Sequence, residues 1–388
     1  MPLSIDHDYI TRTLVDLVRI NSVNPSLAAD GAGEGEIAAY IEGALRRIGL
    51  DVETQEPLSG RKNVIGMLPG AGGGRSLMLN AHTDTVGVEG MAAPFSGDIR
   101  DGRVYGRGAF DMKASAAACL GMLKALVDEG IQPGGDVYFT AVIDEEAGSA
   151  GTEAIVANYH ADAAIITEPT GLRVCGGHRG FWNIEITTTG RAAHGSHYET
   201  GIDANTMMGR LLVEIEKLAQ DLITQAGHPL LGPSSVHVPL IQGGTSRYVY
   251  AAQCRAELEW RSIPGEDRDS MVAVLQAFVD RLHTADPQFR ATITPLFGRD
   301  SYAVAPDAPI VQAVSQAAQR IRGVDPGFYG EKWWMDSALL GSAGIETVII
   351  GPAGGGAHAA VEWVELDSVM MFTRILAEAT LDFCRAGG

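Results

Sequence analysis

Histidine and carboxylate side chains follow three of the apolar runs that the sequence predicts as strands. His82 and Asp84 come directly after the run SLMLNA. Glu145 and Glu146 end the run VYFTAVIDEE, and Glu168 follows ADAAIIT. In an open α/β sheet, ligands bind beyond the carboxyl ends of the strands. We therefore expect these side chains to meet at one edge of a sheet.

Two more candidates lie in loops that contain glycine. Asp111 stands in GRGAFDMK, where a loop is predicted to become a helix, and His358 follows the strand TVIIGP and a run of glycines. With Asp111 included, the edge carries five carboxylates. Such a cluster needs a counter-charge, which a divalent metal ion supplies.

The donor types indicate which metal and which chemistry to expect. Imidazole and carboxylate groups suit Zn²⁺, with Mn²⁺ and Co²⁺ as alternatives. Two ions that share one carboxylate need about five protein ligands and leave coordination positions open. One further carboxylate must stay unligated in order to accept a proton. The adjacent acids Glu145 and Glu146 can supply one group of each kind.

Each of these motifs is weak when it is taken alone. An isolated His-x-Asp seldom binds metal, the acidic run at 144–146 is more often a solvated turn, and a glycine run before a histidine is more often a flexible loop. Their occurrence together, each at the end of a predicted element, favours a site that holds two metal ions.

The pattern of apolar residues predicts two domains, one inserted into the other. Strands and helices alternate over 1–179 and 297–388, which predicts a mixed-sheet α/β catalytic domain with helices on both faces. Over 180–296 the order is β-α-β-β-α-β, typical of a ferredoxin-like α+β domain. Helices are predicted at about 6–19, 34–48, 112–127, 203–222, 267–284, 309–322 and 366–384.

Composition limits the partners that the protein can have. Of 388 residues, 48 are acidic and 29 basic, for a formal net charge of −19. A surface of this sign repels phosphate backbones and anionic lipid, so we expect no nucleic-acid or membrane partner. The start of the chain, MPLSIDHDYI, is unlike a signal peptide, and the cysteines are widely spaced without a CxxC pair. We expect reduced thiols and a cytoplasmic protein.

The motifs HTD at 82–84, GRGAFDMK at 106–113, DEE at 144–146, EPT at 168–170 and GGGAH at 354–358 together resemble those of a known family. This family is the co-catalytic di-zinc amidohydrolases and peptidases, which include aminoacylases, acetylornithine deacetylase, succinyl-diaminopimelate desuccinylase and glutamate carboxypeptidase. The motifs occur in the family's order, and the resemblance covers nearly the whole chain.

The resemblance implies a role for each candidate residue. Asp111 is expected to bridge two zinc ions and to precede a cis peptide bond. His82 and Glu168 would complete one metal site, and Glu146 and His358 the other. Glu145 would be the general base, and Asp84 would orient His82. The metal ligands are thus His82, Asp111, Glu146, Glu168 and His358.

Two motifs of the predicted insertion also resemble the family. GRAAHGS at 190–196 is similar to the lid motif whose histidine reaches the partner subunit and stabilises the oxyanion, a role that would fall on His194. ELEWRSIPGE at 257–266 is similar to the strand whose arginine binds the substrate carboxylate, here Arg261. The alternatives are a surface histidine and an ion pair of Arg261 with Glu259. The resemblance implies a homodimer formed through this domain.

Several positions depart from the family pattern and are aromatic here. Tyr248 stands where an asparagine is usual, and Tyr198 replaces a proline after the lid motif. Trp333 and Trp334 precede Asp336 in a segment that often faces the substrate. These changes favour a more aromatic substrate pocket, with burial of the two tryptophans in the core as the alternative.

We therefore expect an acetylornithine deacetylase-like deacylase. Its substrate would be a small amide with a free carboxylate, such as an N-acyl amino acid. A dipeptidase or carboxypeptidase of the same family is the alternative within this class. A non-catalytic ligand-binding relative is the alternative from another class, and it would require the loss of a ligand or of the base.

Overall fold

The computed structural model describes residues 3–387, which form two compact units. The first unit comprises the chain up to Gly176, Val304–Tyr329, and the chain from Met335 onward. The second comprises Gly177–Ala303 and Gly330–Trp334. The chain thus enters the second unit twice, first for Gly177–Ala303 and then for Gly330–Trp334, and returns to the first unit each time.

The residues that were predicted as an insertion, 180–296, lie inside the second unit, which is longer at both ends. The additional residues pair with each other as antiparallel strand segments, with His178 opposite Tyr302 and Gly177 opposite Ala303. The two ends of the second unit's main segment are therefore neighbours in space.

The predicted helices occur with small shifts at their ends, and two short helices that were not predicted, Ala150–Asn158 and Ser337–Ser342, are added to them. Their bounds are α1 His7–Arg19, α2 Gly35–Ile48, α3 Ala114–Asp128, α4 Ala150–Asn158, α5 Ala204–Thr224, α6 Arg268–Ala285, α7 Pro309–Arg322, α8 Ser337–Ser342 and α9 Leu366–Phe383. The bounds of α7 follow from residue chemistry. Pro309 occupies the start of the helix, where its fixed φ fits, and Gly323 ends it with a φ of 72°.

The start of α3 differs from the prediction, which placed it at Met112. Asp111 and Met112 have non-helical backbone angles, and the peptide bond between them is cis. A separate short helical turn, Ala109–Lys113, therefore precedes α3, which begins at Ala114.

Within residues 3–387, the strands form three sheets. Their bounds are β1 Asp51–Leu58, β2 Arg61–Leu68, β3 Leu77–His82, β4 Asp98–Arg100, β5 Arg103–Tyr105, β6 Val137–Val142, β7 Ala163–Ile166, β8 Val174–His178, β9 Phe181–Thr189, β10 Ser235–Gly243, β11 Gln253–Arg261, β12 Ala291–Arg299, β13 Tyr302–Ala303, β14 Phe328–Glu331, β15 Glu346–Ile349, β16 Gly354–Gly355 and β17 Trp363–Glu365.

The first unit is built on a mixed sheet with the order β1-β2-β6-β3-β7-β15-β8. Strands β6, β3, β7 and β15 run parallel, and β1 and β2 are antiparallel at one edge. Every residue of β3 and β7 is buried, which requires cover on both faces of the sheet. A mixed sheet with helices was expected, and this expectation is confirmed.

A small sheet with the order β16-β17-β5-β4 also belongs to the first unit. It was not predicted, because strands of two or three residues carry too few side chains to show a period of two. The loop between β16 and β17 contains His358, so this sheet fixes both ends of that loop.

The second unit has the ferredoxin-like order that was predicted. Its sheet has the order β10-β11-β9-β12, with every neighbouring pair antiparallel. Helices α5 and α6 pack against it. The core between sheet and helices includes Ile184 and Ile186 on β9, Leu211 on α5 and Leu275 on α6.

Among residues 3–387, every helix is too short or too polar to cross a bilayer.

Candidate metal centre

Asp111 lies between two histidines of the first unit. Its Oδ1 atom is 3.1 Å from His82 Nε2, and its Oδ2 atom is 3.4 Å from His358 Nε2. The two carboxylate oxygens therefore face different imidazoles, as they would in a carboxylate shared by two cations.

Each histidine also has a glutamate of its own. Glu168 Oε1 is 3.5 Å from His82 Nε2, and Glu146 Oε2 is 3.0 Å from His358 Nε2. His82 and Glu168 are buried, whereas the side chain of His358 is 54% exposed. The cluster is thus closed around His82 and open to solvent at His358.

Three neighbouring strands bring most of these groups together. His82 ends β3, Glu145 and Glu146 follow β6, and Glu168 follows β7. Because β3 lies between β6 and β7 and runs parallel to both, the three carboxyl ends share one edge of the sheet. In two sets of three residues, one ligand atom from each lies within 4.8 Å of the others: His82 with Asp111 and Glu146, and His82 with Glu145 and Glu168.

Asp84 contacts both the His82 imidazole and the loop that carries Glu145 and Glu146. His82 Nδ1 is 3.0 Å from the backbone oxygen of Asp84, while the Asp84 carboxylate is 3.6 Å from that nitrogen. The carboxylate also accepts hydrogen bonds from the backbone N–H groups of Glu145 and Glu146, both at 3.1 Å. Both amides belong to the turn that follows β6, so the Asp84 carboxylate fixes the position of that turn.

Glu362 holds the Asp111 segment, and sequence reasoning missed it. Its carboxylate accepts the backbone N–H groups of Phe110 at 2.9 Å and Asp111 at 3.0 Å, and pairs with Arg107 Nη1 at 2.6 Å. Both charged side chains are buried. The only sequence signal was an acid shortly after His358, which no spacing rule marks.

The acids of the cluster are crowded and shielded from water. Burial raises the pKa of Glu145 and of Glu168 well above the usual range, against the attraction of His82. Burial also raises the pKa of Asp336 to about 6. Hydrogen bonds that the His358 imidazole donates to Asp111 and Glu146 raise its pKa to about 10. Burial therefore opposes ionisation of these acids, and divalent cations in the cluster would offset that cost.

The remaining predicted residues lie in the second unit, and two of them are neighbours there. His194 is exposed and its Nδ1 is 2.8 Å from Ser196 Oγ. The backbone N–H of Gly195 donates to the backbone carbonyl oxygen of Tyr248 at 2.8 Å, so the lid motif and the Tyr248 segment run side by side. The Tyr248 side chain is exposed.

Arg261 and the two tryptophans have different surroundings. Arg261 Nη2 is 2.8 Å from Glu259 Oε1, and its guanidinium lies 5.6 Å from the centre of the Phe181 ring. Trp334 packs edge-on to Phe181 and donates from Nε1 to the Asp300 oxygen. Trp333 is 55% exposed, so burial in the core does not account for it.

Comparison with known protein families identifies the class of enzyme to which this chain belongs. The model of peptidase family M20/M25/M40 matches residues 78–382, which is most of the chain. The chain belongs to this family. It is a hydrolytic enzyme, and its class is that of the metal-dependent deacylases and peptidases.

Curated relatives of this M20 chain cover nearly its whole length. An N-formyl-4-amino-5-aminomethyl-2-methylpyrimidine deformylase of Bacillus subtilis is 28% identical over 90% of this chain and 89% of its own. An acetylornithine deacetylase of Myxococcus xanthus is 28% identical over 89% of this chain and 91% of its own.

Solved structures share the fold at lower identity. Aminopeptidase PepT of Bacillus cereus superimposes with a TM-score of 0.81 at 19% identity, covering 98% of this chain and 99% of its own. A dinuclear metal-binding M20 peptidase of Bacillus subtilis has a TM-score of 0.73 at 17% identity, with 97% of each chain covered. At these identities the likeness establishes the fold of this M20 chain.

Proposed function

We propose that this enzyme hydrolyses the amide bond of an N-acylated amine that carries a carboxylate, with N-acyl amino acids as the substrate class. The observation that carries the proposal is Asp111, whose two carboxylate oxygens face His82 and His358 at 3.1 and 3.4 Å. A bridging carboxylate between two histidine–glutamate pairs is the ligand arrangement that a two-metal hydrolase needs.

Two Zn²⁺ ions are the proposed cofactors, because the donors are imidazole and carboxylate groups. Asp111 would be shared, with His82 and Glu168 completing one site and Glu146 and His358 the other. When bound, such ions supply Lewis acidity, which polarises a carbonyl group and lowers the pKa of water.

Glu145 is the proposed general base. Its backbone N–H is held by Asp84 at 3.1 Å, and its carboxylate lies in the group of atoms with His82 and Glu168. A carboxylate oxygen of Glu145 would accept a proton from the attacking water. The same oxygen would then donate that proton to the departing nitrogen.

Groups of the second unit are proposed to bind substrate and to complete the site. His194 would stabilise the oxyanion, Arg261 would bind the substrate carboxylate, and Tyr248, Trp333 and Trp334 would contact the rest of the substrate. For Arg261 this requires exchange of its partner Glu259 for the substrate, since a guanidinium can pair with either carboxylate.

A small acyl group is favoured over a peptide. The relatives at 28% identity are named for the removal of formyl and acetyl groups. Solved structures of a Staphylococcus aureus tripeptidase and of the Saccharomyces cerevisiae dipeptidase Dug1p are 19% and 15% identical to this chain. A peptidase remains the second candidate function, and a non-catalytic role is disfavoured because the base and the ligands occur together.

A homodimer in the cytoplasm is the proposed assembly and location. Edge strand β10 of the second unit exposes Leu240 and Ile241, each 58% accessible, and edge strands with apolar side chains need cover. Pairing of two copies through this edge would give a symmetric dimer. The widely spaced, buried cysteines support a reducing compartment.

The test combines metal content with a substrate panel. We expect two equivalents of zinc per chain and turnover of N-formyl or N-acetyl amino acids in preference to dipeptides. Glu145→Gln should retain both ions and lose more than the roughly 10²–10⁴-fold that one acid–base group contributes, because it acts in two proton transfers. Near-normal turnover by a fully loaded Glu145→Gln enzyme would exclude Glu145 as the base.

A further inference from the structure

A buried polar cluster lies behind the loop that carries Glu145 and Glu146. It consists of Asn24, Glu34 and Arg61, and we refer to it as the loop clamp. All three residues are buried. They come from the segment between α1 and α2 and from the start of β2, and no motif of the sequence marks them.

Asn24 bridges two aspartates, Asp84 and Asp144, that hold the loop carrying Glu145 and Glu146. Its side-chain amide donates to Asp84 Oδ2 at 2.8 Å and to Asp144 Oδ1 at 3.1 Å. The Asn24 backbone N–H donates to the backbone carbonyl oxygen of Thr85 at 2.9 Å, which fixes the position of Asn24 relative to Asp84. The Asn24 side chain thereby connects Asp84, which accepts the amides of Glu145 and Glu146, to Asp144.

Arg61 and Glu34 hold Asp144 from the other side. Arg61 Nη1 is 3.0 Å from Asp144 Oδ1, and Arg61 Nε donates to Glu34 Oε2 at 2.7 Å. The Asp144 backbone N–H donates to Glu34 Oε1 at 3.3 Å. Asp144 is thus bound through both its side chain and its backbone.

Asp144 needs this support because its backbone is in the left-handed region, with a φ of 70°. That conformation is uncommon for a residue with a side chain and persists where the surroundings fix it. The direction of the next two residues depends on it, since the chain turns there from β6 towards the metal centre.

We propose that Asn24, Glu34 and Arg61 are positioning residues that set where the carboxylates of Glu145 and Glu146 lie. This rests on the proposed function for Glu145, and on the proposed ligand role for Glu146. The clamp residues contact Asp84 and Asp144 directly. Asp84 in turn accepts the amides of Glu145 and Glu146, and Asp144 precedes Glu145 in the chain. Groups that orient metal ligands in this way typically change metal affinity or activity by about 10–100-fold when removed.

The test uses Asn24→Ala and Arg61→Lys, which remove a bridging amide and a planar fork without adding bulk. The matched control is Ile310→Ala, a truncation of a fully buried side chain in α7, which packs against α9. For each protein we would measure the melting temperature, kcat and KM, and the zinc affinity of each of the two sites by competition with a chelator.

Both clamp variants should lower kcat by about 10–100-fold with KM unchanged, and should weaken one of the two zinc sites by a similar factor. Ile310→Ala should lower the melting temperature while kcat and both zinc affinities stay at the wild-type values. The double variant should lose less than the product of the single losses, because both act through Asp144. Arg61→Lys should retain more activity than Arg61→Met, since it keeps the charge.

The zinc titration separates failure of this proposal from failure of the proposed function. If the wild-type enzyme hydrolyses none of the amides, a selective loss of one zinc site in Asn24→Ala would still support the clamp. If Asn24→Ala and Arg61→Lys lower only the melting temperature, like Ile310→Ala, the clamp is an ordinary part of the core and the proposal is overturned.

Discussion

Replacement of Glu362 by glutamine should destabilise the first unit strongly, although Glu362 is not a proposed ligand. The Arg107 and Glu362 side chains are 3% and 0% exposed, with Nη1 and Oε2 2.6 Å apart. Removing one partner of a buried ion pair leaves an uncompensated charge, which costs about 3–5 kcal/mol of unfolding free energy. The Oε1 atom of a glutamine could still accept from the Phe110 and Asp111 amides. Its Nε2 group would face Arg107 and the Gly108 N–H, which are both donors, so the change removes the charge together with these two hydrogen bonds.

The control is Glu378→Gln, which breaks an exposed pair of the same unit. Glu378 Oε2 is 2.7 Å from Arg320 Nε, with both side chains more than one third exposed. Exposed pairs contribute about 0–1 kcal/mol. Urea unfolding of both variants, without metal and with zinc, gives the comparison. A loss in Glu362→Gln no larger than that in Glu378→Gln would refute the argument that the buried charge of Arg107 depends on Glu362.

Three further outcomes follow from the same geometry. Asp111→Ala should lose both zinc ions and activity together, whereas His358→Ala should empty mainly one site; elemental analysis that finds two equivalents of zinc in Asp111→Ala would contradict the bridging role. Co-expression of His194→Ala with Glu145→Gln should restore activity if His194 acts across a dimer, because one site of each heterodimer keeps both groups; a purified heterodimer without turnover would show that it does not. Burial lowers the pKa of Lys113 to about 7 from the ordinary 10.5. Between these two pH values the lysine is protonated in the unfolded chain and neutral in the folded one. The unfolding free energy should therefore rise with pH there, by at most about 1.4 kcal/mol per pH unit. Lys113→Met should remove that rise in denaturation curves, and an unchanged pH dependence would contradict the shift.

Features that depend on residues close in sequence could be predicted. The bounds of α7 follow from Pro309 and Gly323, and the mixed sheet follows from apolar runs such as Leu77–Leu79. The meeting of His82 with Glu168 needed only the rule that parallel strands end at one edge. The small sheet was missed because its strands are too short to show a pattern.

Features that depend on distant residues could not be predicted. Glu362 binds the Asp111 amide across 251 positions, and Arg61 meets Asp144 only after folding. Neither side chain lies in a motif, and a buried acid or arginine looks like a surface residue in the sequence. The family resemblance assigned the Asp84 carboxylate to orienting His82, and its Oδ1 atom lies 3.6 Å from His82 Nδ1. Its hydrogen bonds with the amides of Glu145 and Glu146 depend on tertiary structure and could not be predicted.

The pairing of His178 with Tyr302 bears on how such a two-unit enzyme can arise and be rebuilt. Residues that face each other in an antiparallel pair have Cα atoms about 4.5–5.5 Å apart, a gap that a two-residue hairpin loop closes. Because its two ends are adjacent, the segment between them can be exchanged without altering the spacing of the flanking chain, although Trp334 of the same unit would lose its contacts with Phe181 and Asp300. Insertion of a different domain at this point would leave the ends of the flanking chain where they are, so recombination at one location could replace most of the second unit while the candidate metal ligands of the first unit stay unchanged.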